Sequence, residues 1–182
     1  MPPPWTPAAW IEASRFAAQA HAGQTVPGTD LPYLLHVTTV AQEVAVAIAI
    51  EGGDGDLAVR CALLHDTIED CGVAHGALVD AFGAAVADGV AALSKTDGPT
   101  KQARMADSLR RIRQQPKEVW MVKLADRITN LQPAPAHWTA EKRIAYHAEA
   151  GEILAQLGEA SPHLSGRLQA MRAGYLSDQG GR

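Results

Sequence analysis

Only two cysteines occur in the 182 residues, Cys61 and Cys71, and they do not form a CxxC pair. That spacing suggests neither a zinc knuckle nor a disulfide framework. So few thiols fit a reducing cytoplasm. Runs of Val, Ile, Phe and Tyr are scarce as well, while alanine is abundant, so helices are favoured over strands. A surplus of basic charge is also missing: 16 Lys and Arg face 20 Asp and Glu, a formal net charge of −4. General nucleic-acid binding is disfavoured by that balance. The longest apolar run, "VAQEVAVAIAI", is interrupted by Gln42 and Glu43 and reads as too short to span a bilayer. "MPPPWTPAAW" has no basic n-region and no long apolar stretch, so no secretory signal is read there. The expectation is a soluble, cytoplasmic chain with neither nucleic acid nor membrane as partner.

What is present suits one domain with a real core: 47% hydrophobic and 20% charged residues. Helical spacing of Trp10, Ala13, Ala17 and Ala20 predicts a helix from Pro7 to about His21. "GQTVPGTDLP" punctuates it as a loop. A second helix runs from Tyr33 to about Glu51, and Asp54 or Asp56 is placed to cap a third that ends near Cys71-Gly72. Residues 75–95 read as short helices divided at Phe82-Gly83. "TDGPT" is a turn, and helices follow at about Thr100–Gln114, Pro116–Leu131, Thr139–Leu157 and Pro162–Leu176, with "QPAPAHW" a loop. The expectation is all-α: a flexible arm at 1–6, one helical bundle at 7–177 and a flexible tail at 178–182. No internal repeat and no strand alternation is found.

The stretch "CALLHDTIEDCG" sets the functional question. His65, Asp66, Glu69 and Asp70 crowd six positions behind the apolar Ala62, Leu63 and Leu64. Read as one helix, residues four apart share a face, so Glu69 stacks over His65 and Asp70 over Asp66. Ionisable groups pointed at an interior or a cleft need a partner, and a metal ion is the simplest. Two more ligand-type residues sit on apolar helices: His36 in "PYLLHVTTV", and Asp126 in "MVKLADRITNL" with Asn130 one turn on. Singly, each has an ordinary structural explanation: a cap for His36, a pair with Arg127 for Asp126. Together, His36, His65, Asp66 and Asp126 offer two imidazoles and two carboxylates to one divalent ion. That set suits a borderline ion such as Mn²⁺ or Fe²⁺, which would activate water and neutralise a phosphate oxygen. Glu69 and Asp70 stand one turn along, able to take or orient the water proton.

The order His, His-Asp, Asp resembles the HD superfamily of metal-dependent phosphohydrolases. Within it the chain resembles the (p)ppGpp hydrolase domain of the RelA/SpoT-homologue family in its stand-alone form, the small alarmone hydrolases. The motifs are "FAAQAHAGQ", "PYLLH", "LLHDTIED", "FGAAVADGVAALSK", "VKLADRITNL" and the span Trp138–Tyr146. The resemblance implies a helical bundle, a metal held by His36, His65, Asp66 and Asp126, and water activation by Glu69 and Asp70. It also implies that Asn130 and Tyr146 line a nucleotide pocket and that Lys142 contacts phosphate. The expected reaction is removal of 3′-pyrophosphate from a nucleotide alarmone such as (p)ppGpp or (p)ppApp. The alternatives are another HD phosphohydrolase, or an HD module that binds a nucleotide without turnover.

One departure bears on substrate. Relatives often carry a basic pair between the Gly-Gln and the Pro-Tyr, whereas "GQTVPGTDLPYLLH" contains no basic residue, and the common His-Pro is His36-Val37 here. Guanine preference therefore does not follow, and adenine alarmones stay open. Residues 95–117 hold Lys95, Lys101, Arg104, Arg110, Arg111, Arg113 and Lys117 against Asp97 and Asp107, net +5 in a chain of −4. Such a segment is either a solvated helix face or a source of phosphate contacts, with Lys95 and Arg104 the candidates.

Overall fold

A computed structural model describes residues 4–96, 98, 100–131 and 138–175. Among them are α1 (Pro7–Ala20), α2 (Leu34–Glu51), α3 (Gly55–Leu64), α4 (Thr67–Cys71), α5 (His75–Phe82), α6 (Ala84–Leu93), α7 (Lys101–Ile112), α8 (Lys117–Asn130), α9 (Ala140–Leu157) and α10 (Pro162–Tyr175). A 3₁₀ turn, Gly158–Ala160, joins the last two. The described residues contain no strand, only an isolated bridge between Thr25 and Pro32 at the base of the first loop. The fold is the expected all-α, single-domain one. Of the expected arm, residues 1–3 lie outside the described residues. Trp5 packs on the core, and Thr6 both caps α1 and donates from its amide to Asp56 Oδ1 at 2.6 Å. The expected tail, and parts of "TDGPT" and "QPAPAHW" including Asp97, lie outside the described residues.

Starts of helices follow side-chain chemistry. Thr6, Asp54, Thr100 and Thr139 each accept a first-turn backbone N–H, a contact worth about 1 kcal/mol. Asp54, not Asp56, is the cap of α3.

Packing centres on α2, α3 and α8. Every residue from Val119 to Ile128 of α8 is buried, so its polar members Lys123, Asp126 and Arg127 are carried into the interior. Two small-residue contacts bring the helices close. α1 turns Ala9, Ala13 and Ala17 inward. On α6, a Cβ at Gly89 would meet Cys61 Sγ and Val119 Cγ2, both at 2.9 Å. α2 runs back to Leu34, longer than the apolar run alone indicated, and is long and apolar enough to cross a bilayer by length and composition. Its residues His36, Val37, Val40, Ala41, Val44 and Ile48 are buried against the rest of the protein, which makes it a core helix here.

One expectation about local structure is corrected. The segment with the ionisable quartet is not one helix: α3 ends at Leu64 and α4 begins at Thr67. Side chains cause the break. Thr67 Oγ1 donates to Leu64 O at 2.7 Å, and His65 Nδ1 lies 2.8 Å from Ala62 O. Side-chain groups thus take backbone acceptors at the turn, and the Asp66 backbone sits in the bridge region, φ −100° and ψ 0°.

Candidate metal centre and its cleft

Three elements bring the four expected ligands together. α2 supplies His36, the elbow between α3 and α4 supplies His65 and Asp66, and α8 supplies Asp126. His36 Nε2 lies 3.6 Å from Asp66 Oδ2 and 3.5 Å from Asp126 Oδ1. His65 Nε2 lies 3.0 Å and 3.8 Å from the same two atoms. One donor atom each from His36, His65 and Asp126 falls within a 4.8 Å cluster, all three residues buried.

These donors fit a divalent cation. Because His65 Nδ1 faces the Ala62 carbonyl, it carries the proton and leaves the Nε2 lone pair aimed at the cluster. That Nε2 is buried and has no hydrogen-bond partner among the described residues; its contact with Asp66 is close but misaligned. A buried nitrogen with an unused lone pair beside two carboxylates is an atom waiting for a cation. Without one, the ring itself becomes the cation. Burial opposes its charge, but Asp66 and Asp126 outweigh burial and raise its pKa to about 9. Asp66 is held well below the usual carboxylate range in return, burial notwithstanding, chiefly by His65. Asp126 is likewise held low, against its own burial, by Lys123 and the two imidazoles.

A shell of further side chains orients the ligands. Tyr33 OH donates to Asp66 Oδ2 at 2.6 Å, Lys123 Nζ to Asp126 Oδ2 at 3.1 Å, and Asn130 Nδ2 to Asp126 Oδ1 at 2.6 Å. Burial and the Asp66 charge push the Tyr33 phenol far above its ordinary pKa, so it stays a donor. Lys123 stands three residues before Asp126 on α8, a spacing the sequence offered, whereas Tyr33 reaches Asp66 from 33 residues away, which no local spacing reports. Asp126 is paired with Lys123 rather than Arg127, whose guanidinium lies 3.9 Å over the Tyr146 ring and 3.4 Å from Glu149.

The cluster opens into a cleft of about 130 Å³ lined by Tyr33, His65, Asp66, Glu69, Asp70, Leu93, Lys95, Lys123, Asp126 and Asn130. Glu69 and Asp70 therefore face the same space as the ligands. Lys95 is tied to Glu69 there. Lys142, Tyr146 and Arg104 do not line this cleft. Lys142 Nζ lies 4.1 Å over the Trp138 ring, which meets Tyr146 edge-on at 5.2 Å. Arg104 Nη1 donates to Gly98 O at 3.1 Å. The rest of the basic segment is spent on the fold. Arg111 donates to the carbonyls of Ala91, Ala92 and Ser94 at the end of α6 and to Asp107. Arg110 pairs with Asp107, Lys101 with Glu149, Arg113 with Gln156, and Lys117 with the Glu159 carbonyl. Cys61 is buried and its thiol pushed up to about 12 by that burial, an inert core residue.

A helical domain that gathers His, His-Asp and Asp from three elements around one cation site has known counterparts. The HD domain matches residues 13–162, and the chain belongs to the HD-domain family. More particularly, it is 30% identical over 176 residues to guanosine-3′,5′-bis(diphosphate) 3′-pyrophosphohydrolase MESH1 of Xenopus tropicalis, covering 93% of this chain and 94% of that one. The Vibrio cholerae guanosine-3′,5′-bis(diphosphate) 3′-pyrophosphohydrolase is 35% identical over 144 residues, which are 73% of this chain and only 19% of that protein. A solved structure described as a metazoan orthologue of SpoT that hydrolyzes ppGpp superposes with a TM-score of 0.80 at 25% identity, over 92% of this chain and 95% of that one. A Listeria monocytogenes structure shares the fold, TM-score 0.65 at 20% identity, over 81% and 99% of the two chains.

Proposed function

We propose that this protein hydrolyses the 3′-pyrophosphate of a guanosine alarmone of the (p)ppGpp type, and that a divalent ion, Mn²⁺ for preference, is held by His36, His65, Asp66 and Asp126. The observation that carries the reading is that His65, Asp66 and Asp126 line one cleft with the Glu69-Asp70 acids, while His36 Nε2 lies within 3.6 Å of both carboxylates. It agrees with relatives that match along nearly their whole length and are named for that reaction.

In that reaction a water oxygen bonds to the phosphorus next to the ribose 3′ oxygen, and the bond from that phosphorus to the 3′ oxygen breaks. The 3′ oxygen leaves as a hydroxyl with the equivalent of the proton that water gives up. The products are inorganic pyrophosphate and a nucleotide that keeps its 5′ phosphates. The bound cation supplies acidity to the water and neutralises phosphate charge. The remaining work belongs to the chain. Glu69 and Asp70 accept the water proton and orient its oxygen. Lys95 meets the pyrophosphate charge in the cleft, with Arg104 and Lys142 further contacts from outside it. Asn130 and Tyr146 border the nucleoside, Asn130 while also fixing Asp126. The 25–31 loop lacks the basic pair of the relatives, so guanine preference does not follow and adenine alarmones of the same phosphate pattern stay open as substrates. Turnover of guanine and adenine alarmones with Mn²⁺, resolved by product chromatography, tests this reading. Absence of pyrophosphate release from either class would reject it.

A further inference from the structure

Asp70 sits on a helix of only five residues and is exposed, so α4 alone does little to fix its carboxylate. A proton acceptor has to be held to within a fraction of an ångström to be useful. Its anchor comes from the end of the segment "FAAQAHAGQ", just ahead of the loop that departs from the relatives. Gln24 Nε2 donates to Asp70 Oδ2 at 2.9 Å. We propose that Gln24 is a positioning residue for Asp70, and that His21 decides which end of the Gln24 amide faces the carboxylate. The role rests on the reading that Asp70 acts in hydrolysis.

An amide can present either its NH₂ or its oxygen, and the wrong end would repel a carboxylate. His21 settles the choice: its Nδ1 lies 2.8 Å from Gln24 Oε1, so the oxygen is engaged there and the NH₂ is left for Asp70. The ring is well placed to do this. His21 is buried at 4% exposure, its backbone N–H donates to Ala17 O at the end of α1, and its face lies 4.9 Å from Tyr33. Its Nε2 is buried without a partner among the described residues, so none of them draws the proton away from Nδ1 on that side. Cys71 Sγ is the other neighbour of Nδ1, at 3.2 Å, and 3.9 Å from Gln24 Oε1. The amide oxygen is nearer and the stronger acceptor.

Gln24 is fixed at its backbone as well. Its N–H donates to His21 O at 3.0 Å and its carbonyl accepts from Tyr33 N at 2.9 Å. Tyr33 is the residue whose hydroxyl holds Asp66. The base of the loop therefore has two legs on the elbow, Gln24 on Asp70 and Tyr33 on Asp66. Glu69 is anchored separately, from Lys95, so the two acids are steered by different parts of the chain.

The test uses full-length, metal-loaded protein with Gln24→Ala and Gln24→Glu. Glu has the shape of Gln but brings no N–H donor and sets a second carboxylate against Asp70. Both variants are expected to lower kcat about tenfold or more with KM and bound metal unchanged, Gln24→Glu at least as much as Gln24→Ala. Wild-type kcat in Gln24→Glu would overturn the proposal, and so would a loss of kcat accompanied by loss of metal, since that assigns Gln24 to the fold. A second measurement needs no turnover. In ¹⁵N-resolved NMR spectra the Gln24 side-chain NH₂ resonances are expected to move in Asp70→Ala and in His21→Phe. Resonances unmoved in both variants would overturn the contact. If the wild type hydrolysed no alarmone, the functional reading would fall while this spectroscopic result still decided the contact.

Discussion

Lys95 holds Glu69 with both of its nitrogens: the backbone amide donates to Oε2 at 2.8 Å and the ammonium to Oε1 at 2.7 Å. Lys95 is exposed, and partial desolvation at the cleft wall opposes its charge, yet the bond and attraction to Glu69 raise its pKa above the ordinary value. The ammonium thus has a carboxylate partner until a more highly charged anion enters the cleft.

Lys95→Met follows from that arrangement. It removes the ammonium but keeps the amide on Glu69, so substrate binding suffers more than the chemical step. KM is expected to rise about tenfold, with kcat changed less and metal content unchanged. Steady-state kinetics with metal analysis checks it; a fall in kcat at constant KM would mean that Lys95 acts in the chemical step instead.

Arg104 and Arg113 offer an internal comparison. Arg104 spends its guanidinium on a carbonyl, whereas Arg113 is turned to Gln156 and the Trp120 ring. Raised KM is expected in the order Lys95→Met, Arg104→Ala, Arg113→Ala, the last nearly silent. Equal values for the two arginines would confine the basic segment to holding helices together.

Asp66→Ala removes a proposed ligand, whose carboxylate the Tyr33 hydroxyl holds. Most of the metal and essentially all turnover are expected to go, while circular dichroism keeps its helical signal. Full metal occupancy in the variant would reject the ligand assignment. Glu69→Gln is the complementary change: metal stays, and the rate falls about 10²-fold or more.

Proton and cation compete for His65. Its pKa of about 9 in the cation-free protein exceeds the ordinary 6.5. A raised folded-state value stabilises the fold fully below pH 6.5, progressively less between 6.5 and about 9, and not at all above. Chelator-treated protein is therefore expected to lose thermal stability as pH rises through that window, and His65→Asn to lack this slope. Metal uptake at pH 7 must expel the proton, which calorimetry in buffers of different ionisation enthalpy would register.

Gly89→Ala tests the packing beneath the site. Its Cβ would press on Cys61 Sγ and Val119 Cγ2, and overpacking of this kind costs about 1–3 kcal/mol. A lowered denaturation midpoint with unchanged metal affinity is the expected result.

Much of this site was legible from residue types alone. His36, His65, Asp66 and Asp126 stood out because ionisable groups on apolar helices need a partner. Donor atoms of His36, His65 and Asp126 lie within 4.8 Å of one another and Asp66 Oδ2 lies beside both imidazoles, while their sharing of one cation is the proposal. Less legible was the elbow, since a 3.6-residue period runs through Leu64–Thr67 without interruption while Thr67 and His65 side chains take the backbone carbonyls. Gln24 lay in a quoted motif, but its contact gave no signal: it reaches Asp70 from far along the chain, and no periodicity reports a contact between residues so distant in sequence. Net charge could not separate the two readings of the basic segment. Net charge counts Arg111 and Arg110 alike with Lys95, but only contacts reveal that Arg111 closes the end of α6 while Lys95 faces the cleft.

The elbow also fixes how the site is assembled in time. His65, Asp66, Glu69 and Asp70 come from one short segment and need only local closure, whereas His36 and Asp126 arrive on helices separated by half the chain. Closing contacts of that span is entropically costly and slow relative to forming the elbow. A cation that joins all four ligands would therefore act as a cross-link across the sequence, binding strongly only after α2 and α8 have docked. Metal capture becomes the last event of folding, and a chain with these helices undocked carries no competent centre for stray phosphate esters.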